Sequence, residues 1–448
     1  EYCTAEGGGC AQSEKYLDVT SVDTPDDLTV IVNFSVPKPF PYGPFVGAQA
    51  PIIQKAQFAE CLGPKAPECS EENFGPIGTG PFVVTDFRPN DVFTAVANEN
   101  YRDPKKPAFA SVTIKRGGDA TAAGRAVHET GEFDYAWNLQ LAPDVLSKMA
   151  EAGLAENVVA FGTSVERILL NQTNVDPALG DQRGVIGNPH PFLTDKAVRQ
   201  AMSMAIDRAL LTEIGYGDFG KLTCNVLPAP AVFASSANDG CLVQDLEGAK
   251  SVLEAAGWTD TNGDGFRDKD GVELSVLYQT STNAVRQDYQ ALIKQWWEEI
   301  GIETELRNID ASVFFGSDPG SDDTFQKFFA DVEMFTNNFD GTDPESYMAG
   351  WTCDQAPQPS NQWQGNNMPR FCSEEYDALR AEMAVTGDIN ERARLAKAMN
   401  DILMQEYIIL PLTHRGRNSA HAKTLGGVAL NVWDSELWNI ADWYRIGE

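Results

Sequence analysis

Apolar and polar positions alternate along the chain with two periods, and the switch between them marks out the elements. Leu28-Thr29-Val30-Ile31-Val32-Asn33-Phe34 is a β-branched run bounded by Asp26-Asp27 and Pro37, which predicts a strand. Residues 81–116 predict two or three more, the last at Ser111-Val112-Thr113-Ile114-Lys115. A helix is expected over 119–131, stopped by Gly131, followed by a short strand over 133–137 and a helix over 143–152. An apolar strand follows at 167–171. Residues 195–214 predict one long helix, capped at Thr194-Asp195, with Val198, Ala201, Met202, Ala205 and Ile206 on one face. Further helices are expected over 246–257, 283–301, 374–386 and 390–406. Strands are expected over 274–278, 304–308, 332–335 and 408–412. Strands alternating with helices predict α/β layers.

The 448 residues suffice for two or three domains with real cores, and the 42% hydrophobic content argues against disorder. No run approaches the roughly 20 apolar residues of a membrane-spanning helix. A net charge of −31 repels phosphate backbones and anionic lipid, which excludes nucleic acid as a partner. The opening Glu1-Tyr2-Cys3 carries no signal peptide or lipobox, so a processed or truncated product is expected.

The eight cysteines fall into four sequence-local pairs: Cys3 with Cys10, Cys61 with Cys69, Cys224 with Cys241, and Cys353 with Cys372. The surrounding residues are loop-like, and none has CxxC or zinc spacing. Four local disulfides and an oxidising compartment are expected.

Asp260-Thr261-Asn262-Gly263-Asp264-Gly265 follows the start of an EF-hand loop, with oxygen ligands at Asp260, Asn262 and Asp264. Position 12 is Gly271 where a bidentate Glu belongs, so calcium competes with a plain Asp/Asn/Gly turn. The four histidines, His128, His190, His414 and His421, give no metal spacing, although the last two flank a basic stretch with Arg415 and Arg417. No nucleophile elbow, zinc-protease helix or phosphate loop occurs, so no catalytic residue is assigned and no cofactor is expected beyond that calcium.

Two strand ends carry candidate binding chemistry. Asn337-Asn338-Phe339-Asp340 follows the expected strand at 332–335, where ligands of α/β sheets usually bind. Asp340 suits an α-ammonium group or, equally, an Asx-turn cap on the next helix. Trp137-Asn138 ends another strand, as ligand platform or as core tryptophan. Trp351, Trp363 and the amides near Gln362 also suit a sugar.

In chain order, Gly78-Thr79-Gly80-Pro81-Phe82, Asn98-Glu99-Asn100-Tyr101-Arg102, Thr130-Gly131-Glu132-Phe133-Asp134 and the run from Val198 to Arg208 together resemble one family. The Asp264-Gly265-Phe266-Arg267 turn and Asp340-Gly341-Thr342-Asp343-Pro344 continue the match. The chain is similar to the extracellular solute-binding proteins of peptide and nickel ABC importers, family 5. The resemblance implies a two-lobed α/β fold of the periplasmic-binding-protein type II, with a ligand cleft between lobes. It implies lobe I over 1–165, incomplete at its N-terminal side, lobe II over 166–411, and a return to lobe I over 412–448. It also implies a monomer that works outside the cytoplasm, secreted across the inner membrane, captures a peptide and hands it to a membrane permease without chemistry. Asp340 holds the position of the family's ammonium-binding aspartate. The loop that carries an arginine in some dipeptide binders has none here; Thr280 to Asn283 and the nearby Arg286 are the candidates in its place, beside Trp137, Asn138, Asn338 and Trp351. The alternatives are an oligosaccharide or opine-like solute, and, in another class, an extracellular hydrolase.

Overall fold

The computed structural model describes residues 5–447 except 9, 11, 49, 50 and 317. The chain opens with a hairpin of β1 (Val19–Asp26) and β2 (Thr29–Phe34). The helix α1 (Ser70–Phe74) leads into the antiparallel sheet of β3 (Phe82–Arg88), β4 (Val92–Ala97) and β5 (Ser111–Lys115). Next come α2 (Ala120–His128), β6 (Tyr135–Ala136), α3 (Pro143–Ala150), β7 (Ala155–Ala160) and β8 (Val165–Leu170). The helices α4 (Lys196–Met204) and α5 (Arg208–Gly215) precede β9 (Gly220–Leu222) and α6 (Leu246–Ala255). The small hairpin of β10 (Asp268–Lys269) and β11 (Val272–Glu273) leads to β12 (Ser275–Ser281), α7 (Ala284–Glu299) and β13 (Glu303–Ile309). After α8 (Ala311–Phe314) run β14 (Val332–Asn337), α9 (Glu345–Ala349), α10 (Glu374–Val385) and α11 (Ile389–Gln405). The strands β15 (Ile409–Arg415), β16 (Arg417–Ala422), β17 (Leu425–Gly426) and β18 (Tyr444–Arg445) finish the chain.

Lobe II is built on a six-stranded mixed sheet in the order β13-β12-β14-β8-β15-β9. All six residues of β8 are buried, because both faces of its sheet are covered. Ile168 and Leu170 join the core under α4 to α7, whereas Leu169 joins Phe314, Phe328 and Phe335 on the opposite side. Such a strand reads as a continuous apolar run. Lobe I holds the sheet β6-β16-β7, packed on α2 and α3 through Val127, Leu141, Leu146 and Met149.

Two adjacent passages join the lobes. One runs from β7 to β8 and the other from β15 to β16 through Gly416, where a Cβ would lie 2.5 Å from Val159 Cγ2. The expected boundary after residue 411 falls inside β15, which stays paired in the large sheet through Arg415. Residues 13–46, expected with lobe I, lie against α9 and α10. Lys38 ties Asp18 (3.0 Å) to Glu345 (2.5 Å), and Arg380 reaches Asp18 at 3.2 Å.

One helix was expected over 195–214; two form. Asp207 leaves helical geometry and caps α5, its side chain accepting from Leu210 N. Arg208, fully buried, draws on the carbonyls of Ser203, Pro411 and Cys241, which fixes the break. Three of the expected disulfides are present: Cys61–Cys69, Cys224–Cys241 and Cys353–Cys372. Cys3 of the fourth pair lies outside the described residues.

Candidate functional site

The end of β6 turns sharply at Asn138, whose φ is 52°. Asparagine enters this left-handed region more readily than most residues. The turn leaves the Trp137 indole 66% exposed and fixes Asn138 on both sides. Its N–H donates to Ser419 Oγ at 3.1 Å, and its Oδ1 accepts from Arg415 Nη1 at 2.8 Å.

Arg415 ends β15, and its Nε donates to Thr336 Oγ1 at 2.8 Å. Thr336 in turn donates to Glu166 Oε2 at 2.5 Å. Glu166, wholly buried on β8, also accepts from Arg286 Nε at 2.8 Å and the Tyr216 hydroxyl at 3.0 Å. Gln140 donates to that hydroxyl at 2.8 Å and accepts from Asn283 Nδ2 at 3.1 Å. Burial pushes the Glu166 carboxyl up, but pairing with Arg286, backed by Arg415 and the Thr336 hydroxyl, outweighs it and holds the group below its ordinary value. A charged, hydrogen-bonded joint therefore links Asn138 and Gln140 of lobe I to Asn283, Arg286 and Thr336 of lobe II.

A second feature is a cavity of about 460 Å³ between residues 12–46 and the segment after β14. Asn338, Asp340 and Trp351 line it. Phe339, Tyr347 and Trp351 form an aromatic wall, with ring centroids 5.0 and 4.6 Å apart in succession. The Asp340 side chain is 4% exposed, has Arg417 Nη2 at 3.9 Å, and feels the charge of Lys15. Gly47, with φ 77°, packs on it so closely that a Cβ there would lie 2.4 Å from Asp340 Cβ.

The sequence profile of the bacterial extracellular solute-binding proteins, family 5 Middle, matches residues 4–365. The chain belongs to this family. It is 28% identical over 240 residues to the oligopeptide-binding protein AppA of Bacillus subtilis strain 168, covering 53% of this chain and 40% of that protein. It is 24% identical over 360 residues to the glutathione-binding protein GsiB of Escherichia coli K12, covering 80% of this chain and 62% of that protein. The chain thus spans less than two thirds of these curated relatives. Among solved structures, AppA of Bacillus subtilis in complex with a nonapeptide superposes with a TM-score of 0.81 at 20% identity, over 98% of this chain and 80% of that one. NikZ of Campylobacter jejuni in complex with Ni(L-His) gives 0.76 at 19%, over 97% and 80%. These likenesses show the two-lobed periplasmic-binding-protein fold.

On this family 5 fold the sequence candidates divide into groups. Asn138, Asn283 and Arg286 meet in the joint around Glu166, with Trp137 exposed beside it. Asn338, Asp340 and Trp351 meet in the cavity. Thr280 belongs to neither group: it is wholly buried, and its hydroxyl donates to the Met334 carbonyl at 2.6 Å across the β12–β14 pair. Sequence reasoning missed Gln140, Glu166 and Thr336 altogether, and noticed Arg415 only as part of a basic stretch.

In the Asp260 loop the side-chain oxygens serve the loop's own backbone. Asp260 accepts from Gly263 N at 2.6 Å and Gly265 N at 3.0 Å, and Asp264 accepts from Phe266 N at 2.8 Å. Among the described residues, no three carboxylate, imidazole or thiol donors meet within 4.8 Å of one another there.

Proposed function

We propose that this family 5 chain is the capture component of an ABC importer and binds a peptide by its α-ammonium group at Asp340. The observation that carries the reading is the division of labour between two aspartates. Asp343 makes the helix-entry bond, accepting from Glu345 N at 3.0 Å, and pairs with Arg392 at 2.8 Å. The Asx-turn role is thereby filled, and Asp340 stands in the cavity wall facing Lys15 and Arg417. A carboxylate in a cavity wall suits an ammonium ion, held by a charge-assisted hydrogen bond.

The aromatic wall of Phe339, Tyr347 and Trp351 gives apolar surface for a peptide side chain, and Trp137 offers a second aromatic face in lobe I. The names of AppA and GsiB, an oligopeptide and a glutathione binder, support a peptide-like solute. A ligand touching both lobes favours their closed arrangement by its differential affinity for it, and that arrangement is what a permease would recognise. Three disulfides fit a site of action outside the cytoplasm. No helix among the described residues is long and apolar enough to cross a membrane.

Mass spectrometry of small molecules released from the denatured protein tests this reading. Recovery of peptides with free amino termini is expected. Recovery of an oligosaccharide in stoichiometric amount would overturn the peptide assignment, and turnover of the recovered solute would overturn the binding-protein assignment.

A further inference from the structure

Arg167 lies beside Glu166 on β8, but its side chain points to the opposite face of the sheet. It is wholly buried. Its Nη1 donates to the Tyr347 hydroxyl at 2.8 Å, and its guanidinium faces the Phe335 and Trp351 rings, 5.5 and 5.2 Å from their centroids. Its Nε and Nη2 have no hydrogen-bond partner among the described residues, and neither has the Trp351 indole N–H. Trp351 is 2% exposed. One further polar atom in the neighbourhood is unsatisfied, Oε1 of Glu333, on the strand paired with β8.

The chemistry of this cluster is one-sided. Three donor nitrogens find no acceptor: Nε and Nη2 of the charged Arg167 guanidinium and the neutral indole Nε1 of Trp351. An unpartnered buried donor costs about 1–3 kcal/mol, more when charged, so such a set implies an acceptor from outside the chain. Glu333 does not balance the charge. Burial pushes its carboxyl well above its ordinary value despite Gln279, Arg370 and Arg167, which favours the neutral acid. As a neutral acid it adds a fourth donor. Arg370 is engaged elsewhere, by the carbonyls of Pro357, Met368 and Lys327.

We propose that Arg167 and Trp351 form a buried seat for a small monovalent anion of halide size, behind the aromatic wall of the Asp340 cavity. Burial of both donors favours a small ion: Arg167 is wholly buried and Trp351 is 2% exposed, and Tyr347 and Trp351, which contact the guanidinium, also line the Asp340 cavity. The anion ties β8 to the segment that follows α9, and so fixes the aromatic wall from behind. The seat is independent of which solute the cavity takes.

Two measurements on the purified full chain decide the matter. In crystals grown with sodium bromide, an anomalous peak at the bromine edge is expected at hydrogen-bond distance from Arg167 Nε and Nη2 and from Trp351 Nε1. In solution, the melting temperature at constant ionic strength should rise as chloride replaces gluconate, by roughly 1–2 °C per tenfold increase over the saturating range. Arg167→Met should abolish that dependence. Trp351→Phe keeps the ring, removes the N–H, and should weaken halide binding about tenfold, which serves if the arginine variant fails to fold. Ordered water without an anomalous peak would overturn the proposal. So would a rise in melting temperature that sets in at the same chloride concentration in wild type and in Trp351→Phe, since tenfold weaker binding shifts that onset tenfold higher.

Discussion

Arg286 Nε meets Glu166 Oε1 at 2.8 Å with both side chains out of solvent, 5% and 0% exposed. The pair sits where the lobes join and is backed by Thr336, Tyr216 and Gln140. Removing one partner strands a buried charge. Glu166→Gln or Arg286→Met should each cost about 3–5 kcal/mol in denaturant unfolding. The double variant should cost clearly less than the sum, because neither charge is left alone. Additive losses would mean that the two side chains act separately.

Two carboxyls give stability opposite pH signs. Burial pushes Glu14 up to about 7 from an ordinary 4.5. The folded state therefore binds more protons than the unfolded one between those values. Its contribution is full below about 4.5 and is lost as pH rises through 7. Glu166 is depressed, so its contribution is present above its ordinary value and lost as pH falls through the lower folded one. Glu14→Gln should remove a fall in stability of on the order of 3 kcal/mol between about pH 4.5 and 7. A slope that survives the substitution would assign it to another group.

Trp137 is an exposed aromatic that directly precedes Asn138 of the joint. Trp137→Ala should change unfolding free energy by less than about 0.5 kcal/mol, as at other exposed positions. Peptide affinity should fall by about 1–2 kcal/mol as an aromatic face is lost. Calorimetric titration beside chemical unfolding separates the two. A stability loss without an affinity loss would return Trp137 to a structural role.

The Asp260 carboxylate closes its own turn through Gly263 and Gly265. Asp260→Ala should cost about 0.5–2 kcal/mol, as loss of a cap does, and the cost should be equal with millimolar calcium and with a chelator. A calcium-dependent cost would show a metal in the loop.

Much of the architecture is legible in the sequence because it rests on local pattern. The β-branched run that becomes β2, the three strands β3 to β5, and the helices α6, α7, α10 and α11 follow from periodicity and capping. The break between α4 and α5 does not, since the apolar face runs on through Ala205 and Ile206. It is fixed by Arg208 reaching Pro411, 203 positions away. The candidate site divides in the same way. Asp340 and Asn138 are visible because they end strands. Glu166 is a lone acid inside an apolar run, and its meaning appears only with Arg286, 120 positions on. Asn138 and Arg415 are 277 positions apart. One signal was present: Glu166-Arg167 are two charges in a strand whose neighbours demand burial, a pattern that requires partners.

The most direct test of the peptide reading is calorimetric titration of one peptide in two forms, with a free and with an acetylated N-terminus. Wild type and Asp340→Asn are compared. Acetylation should weaken binding to wild type by about 1.5–3 kcal/mol, the range for a hydrogen bond to a charged group. It should make little difference to Asp340→Asn, which lacks the carboxylate. Equal affinity of wild type for both forms would contradict the assignment of Asp340 as the ammonium seat.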